Sequence, residues 1–265
     1  VNVKTSQACG NCGGSGKTSN EFKFPYHYPF NLTVLTPGLP AGLLTALPTL
    51  IVPGSPGNSQ QQGTNPVILR LGSDHPFQWL FNLISVSAPN VVGDASAWLQ
   101  LYLEDLSGTN WPFQSAPIVA NLYAGDARNP WPQLEPLTFG EQTQLRLTGY
   151  PITITGMLIS LGIGTGAPGT YTGTLNGPVL PGSVVLTLAG VASATDNGLG
   201  VIAGAGVTGT VNYTTGAVSV TLTTAAAMAI QYSQGPGVLN AQFDLQGFYL
   251  RQLSPSEQQA VSASK

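Results

Sequence analysis

Short apolar runs of period two, cut every few residues by glycine or proline, recur along most of this chain. From Asn31 they read NLTVL, then VILRL at 67–71, FQWLFNLISVSA at 77–88, WLQLYL at 98–103, APIVANLYAG at 116–125, TQLRLTGY at 143–150 and ITITGMLISLGIG at 152–164. Alternation of this kind predicts strands with one buried face. A helical reading fails because glycine or proline interrupts almost every window of about a dozen residues, the shortest length at which a helix becomes self-supporting. The polar stretch SPGNSQQQGTNP at 55–66 reads as a loop, and NPWPQLEPLTFG, with Pro130, Pro132 and Pro136, as a loop or a sheet edge.

Residues 1–30 read as an extended N-terminal arm. Three glycines (Gly13, Gly14, Gly16) precede FKFPYHYPF, where Pro25 and Pro29 forbid a helix and would break a central strand. Phe22, Phe24, Tyr26 and Tyr28 give the arm apolar surface to bury, against its own body or against a neighbouring subunit.

The character of the chain changes near Gly166. From there to about Gly235 it is rich in Thr, Gly, Ala and Val, and Asp196 is its one charged residue. TVNYTTGAVSVTL predicts a hairpin turning at Thr215-Gly216, and TDNGLG a turn where positive φ is cheap. VLNAQFDLQGFYLRQL at 238–253 then resumes the pattern seen before Gly166, with Phe and Leu alternating with Gln and Asp. Its expected partners are TQLRLTG or ITITGMLISL. The economical organisation is an all-β chain with a sandwich or jelly-roll-like body, residues 31–166 plus 237–253. A second small β-sandwich or barrel, 167–236, is inserted into it, and 254–265 form a loose tail. The rival is a tandem arrangement with the last strand swapped onto another subunit.

Composition sharpens this picture. Lys and Arg number 8, Asp and Glu 11, together 7% of 265 residues, against roughly 25% in an ordinary soluble domain. So few charges protect poorly against self-association, and the expectation is a surface covered by copies of itself or by partners. A formal charge of -3 with scattered cations argues against direct nucleic-acid binding. No run of 18 apolar residues suggests a membrane span, and VNVK followed by polar residues reads as no visible signal peptide, a start that a processed chain would share.

Candidate chemistry is sparse. CGNCGGSGKT resembles a phosphate loop, but the first glycine belongs at position 11, which is Asn, and no strand–helix context surrounds it. Cys9 and Cys12 lack further cysteines for a structural zinc site; inert thiols, a disulfide or a metal shared across a symmetry axis stay open. Asp74-His75 shows no nucleophile elbow, and Glu104-Asp105 are adjacent rather than spaced across a cleft. The expectation is therefore no enzymatic activity, no cofactor and no metal. Trp79 and Trp98 fall inside strand patterns and read as core. Trp111-Pro112 and Trp131-Pro132 read as loop residues, either touching a partner or folding back as plugs.

Pro181-Gly182-Ser183-Val184, the set Asp196, Gly198 and Gly200, and the run from Gly209 to Val218 carry a resemblance. Residues 171–232 resemble a β module that recurs in bacteriophage virion proteins, over about a quarter of the chain. The resemblance implies a building block without catalytic residues. It implies a non-enzymatic virion subunit, a capsid or capsid-associated (decoration or auxiliary) protein, whose partners are itself and other virion proteins. A tail or baseplate protein and a non-viral cell-surface binding module are the alternatives.

Overall fold

The computed structural model describes residues 21–37, 39, 65–70, 76–107, 111–125, 131–140, 143–159, 168–189, 191–224, 227–252, 254, 256, 257 and 259. The protein is all-β and sandwich-like, with a curled eight-stranded half-barrel beside the sandwich.

The sandwich is built from two sheets. One has the order β1(Glu21–Leu35), β17(Val238–Gln252), β3(Phe77–Ser87), β7(Trp131–Phe139). The other runs β2(Val67–Arg70), β8(Gln144–Pro151), β4(Leu99–Asp105), β5(Trp111–Pro112), with β6(Ile118–Val119) also on β4. Their inward faces supply one core: Phe30, Leu32, Trp79 and Phe243 from the first sheet, Leu69, Leu101, Leu145 and Leu147 from the second. Phe30 and Phe243 stack at 4.8 Å between centroids. At one corner the sheets close so tightly that a Cβ on Gly149 would lie 2.4 Å from Val34 Cγ2.

β1 spans 15 residues, each paired with β17. The described part of the expected arm, residues 21–30, is thus docked on its own body. Pro25 and Pro29 are tolerated because β1 is an edge strand. Four residues apart, both rings sit on the exposed face while Tyr28 and Phe30 turn inward. The expected partners of the last strand are corrected: β17 lies between β1 and β3, not beside TQLRLTG or ITITGMLISL. β1 and β17 are both 15 residues long, and the buried residues Tyr28, Phe30, Leu32 and Val34 of β1 face the buried residues Leu245, Phe243, Ala241 and Leu239 of β17.

The third sheet has the order β10(Gly169–Thr174), β15(Ala217–Leu222), β14(Val207–Val211), β13(Val201–Gly204), β12(Val191–Asp196), β11(Val185–Leu188), β16(Met228–Gln234), β9(Ile154–Ile159). It curls round a second core that includes Val184, Leu186, Ile202, Val220, Ile230 and Tyr232. ITITGMLISL contributes β9 to this sheet, because Met157 and Ile159 pack on the second core. The two cores meet where the chain crosses between them. Asn90 donates from Nδ2 to Val179 O (3.1 Å) and Gly235 O (2.9 Å), and Thr214 Oγ1 donates to Pro89 O (3.2 Å).

Candidate assembly surfaces

The aromatic positions singled out on the arm share one strand parity and differ in depth of burial. Tyr28 is 1% exposed and belongs to the sandwich core, so its reading as an interface residue is corrected. Tyr26 packs half-buried on that core, 4.1 Å from Tyr249 between ring centroids. Phe24, 44% exposed, stays at the surface near the free end of β1. Period two puts positions 24, 26 and 28 on the same face of β1, and burial on that face deepens from exposed Phe24 through half-buried Tyr26 to buried Tyr28. Phe22 pairs with Arg251 in β1. Trp111 and Trp131 are corrected from loop to strand: Trp111 pairs with Asp105 in β5, and Trp131 opens β7 opposite Asn82. The side chains of Phe22, Trp111 and Trp131 lie outside the described part of the structure. Trp79 is buried, and its Nε1 donates to Phe81 O (3.0 Å).

Several of the described charged groups make contacts within the fold. Arg146 Nη2 lies 2.7 Å from Glu104 Oε2 across β8 and β4, and this hydrogen bond raises the guanidinium pKa. Asp105 Oδ1 accepts from Ser107 N and caps the following turn. His27 Nδ1 lies 2.8 Å from Asp244 Oδ2 on the outer face of the first sheet. Glu257, held by Ser254 backbone and hydroxyl and by Arg251, has its pKa lowered. Among the described residues no three of His, Cys, Asp or Glu gather into a metal-binding group. Cys9, Cys12, Lys17, Asp74 and His75 lie outside the described residues.

The turn motif of the eight-stranded sheet is explained by one buried carboxylate. Asp196 Oδ1 accepts from Gly198 N (2.6 Å) and from the Tyr213 hydroxyl, and Oδ2 from Val184 N (3.2 Å). Tyr213 Oη in turn accepts from Gly200 N (2.7 Å). Burial, and then the Asp196 partner, push the Tyr213 hydroxyl pKa up. Asn212 Oδ1 accepts from Thr214 N and Thr215 N at the hairpin turn predicted from TVNYTTGAV. A crevice of about 310 Å³ lies between the two cores, bordered by Pro89, Asn90, Pro181, Leu199, Tyr213 and Pro236. Its polar groups are mostly engaged in holding the fold.

What the sequence did not single out is the contrast among the end strands of the sheets, as ordered among the described residues. β1 carries Pro25, Pro29, Lys23 and His27, and β7 carries Pro132, Pro136 and Glu135. Such residues discourage strand addition. The two end strands of the eight-stranded sheet read ITGMLI (β9) and GTYTGT (β10), with neither charge nor proline. Leu158 on β9 is 71% exposed, and Ile154 is also exposed. The signal was present as an uncharged apolar strand, but which strands would be edges was not. Compared with known proteins, the chain matches no family model, no curated protein and no solved structure.

Proposed function

We propose that this protein is a non-enzymatic structural subunit of a bacteriophage virion, a capsid or capsid-associated protein that assembles through low-charge β surfaces. The observation that carries the assembly part is the surface itself. Among the described residues, sheet edges without a further strand partner occur together with exposed apolar side chains on a chain with 7% charged residues, and such a surface favours contact with copies or partners over solvation. The virion part rests on the resemblance of residues 171–232. The Asp196–Tyr213 lock supports the reading of that region as a self-contained module, since it ties three segments of the sheet together without exposing a reactive group. The protein contributes contact area, with itself and with other virion proteins, and needs no cofactor for that role.

Light scattering on a sizing column, with the eluted peak imaged by electron microscopy, tests the reading. A ring, a trimer or a shell fragment is the expected result. A clean monomer at micromolar concentration that also fails to bind a preformed particle sinks it, and favours the alternative of a lone surface-binding module.

A further inference from the structure

We propose that copies of this chain join edge to edge, β9 of one copy pairing antiparallel with β10 of the next, so that the eight-stranded sheet continues from subunit to subunit. The inference deepens the assembly reading above and rests on it.

Three independent features meet at these edges. The first is polarity. Every neighbouring pair in the sheet is antiparallel. With an even number of strands, the two end strands run in opposite directions. A copy brought alongside with its strands pointing the same way therefore meets β9 with an antiparallel β10. The second is the lack of protection: these two edges have neither proline nor charge, whereas the long edges of the sandwich have both.

The third is the match of faces. Each strand is six residues long. Full overlap sets Met157 opposite Tyr171, both of which pack on the second core of their own subunit. It also sets Leu158 opposite Thr170, both exposed, whereas Ile154 lies past a bulge where a two-residue step in β16 faces a three-residue step in β9, and so stands one position off this register. A shift by one residue would put core-facing side chains opposite outward ones. β9 carries one irregularity, where Gly156 takes φ +75° between the pairings at Tyr232 and Gln234; Met157–Ile159 beyond it pair regularly with β16. Strand addition supplies main-chain hydrogen bonds along the regular part of the joint, Met157–Ile159, and the partner strand packs beside Leu158.

The test uses two double variants of the whole chain, both at exposed positions. Leu158→Lys with Thr170→Lys places like charges opposite each other at every joint, which is destabilising. Leu158→Lys with Thr170→Glu places opposite charges there instead. The expected result is a fall to the 27.4 kDa monomer for the first variant, and the parent mass for the second, at equal concentration. Matching circular dichroism and melting of the two variants establishes that charge sign, not misfolding, is read. If both variants keep the parent mass, the joint lies elsewhere and this inference falls while the assembly reading stands. If both become monomers, β9 pairs with a second β9 or another surface, and the β9–β10 joint is likewise overturned. A parent protein that is itself monomeric removes the assembly reading and this inference with it.

Discussion

At the scale of single residues, Asp196 and Tyr213 hold the most consequence for the smallest number of atoms. Tyr213→Phe removes a donor to Asp196 Oδ1 and the acceptor of Gly200 N. The expected loss is about 1–3 kcal/mol, measurable by denaturant unfolding. The pH dependence has a defined sign. Because the folded-state pKa of Tyr213 is raised, its contribution is fully present below the ordinary tyrosine pKa. It is lost as pH rises from there through the folded value, because the unfolded chain ionises first. Melting temperature should therefore fall above about pH 10, and less steeply in Tyr213→Phe; identical alkaline slopes in the two proteins would contradict this. Gly216 is equally constrained, with φ +72° and a would-be Cβ 2.1 Å from Leu175 O. Gly216→Ala should cost more than about 1 kcal/mol, read as a lowered denaturation midpoint.

At the scale of elements, β1 shows how one strand can have a secure side and a guarded side. Its inward residues anchor it: Phe30 is buried and stacked on Phe243, so Phe30→Ala should cost about 3–5 kcal/mol. Its prolines do a different job. Replacing Pro25 and Pro29 together by Thr restores two backbone N–H groups to an edge strand. Self-association should then rise with concentration, seen as increased light scattering, while the melting temperature of the monomeric fraction stays within a few degrees. Unchanged scattering would show that the prolines do not guard that edge. β9 is the opposite case, an edge strand whose outward side chains include Ile154 and Leu158.

At the scale of the whole molecule, two cores share one chain, and among the described residues Asn90 and Thr214 are polar ties between them. Asn90 is buried and donates both its amide hydrogens across the gap, while its Oδ1 has no partner among the described residues. Asn90→Ala leaves Val179 O and Gly235 O without those donors, at a cost of about 1–3 kcal/mol. Calorimetry should then resolve two unfolding transitions where the parent shows one, since each core retains its own apolar contacts. A single transition at reduced temperature would mean that packing along the crossing segments, not the amide, couples the cores.

How much was legible in the chain follows from how far each feature reaches along it. The strands at 77–88, 98–103 and 143–150 and the hairpin at Thr215-Gly216 were visible, because alternation and turn chemistry act over a few residues. Phe30 and Leu32 share the inward face of β1 by the same period. The same pattern could not say that this face, Tyr28 included, would be covered by β8 and β4, nor that Glu104 would find Arg146. Trp111 and Trp131 looked like loop residues because each precedes a proline, although Trp111 lies in the two-residue strand β5 and Trp131 opens the nine-residue edge strand β7. The sequence by itself determined an all-β chain of low charge with a separate, nearly uncharged β region, since composition and period two are local quantities. The tertiary structure alone decided that β17 joins β1 and β3, that β9 joins β16, and which edges stay open. Those outcomes depend on strand lengths and on the packing of side chains distant in sequence, which only the assembled sheets bring together.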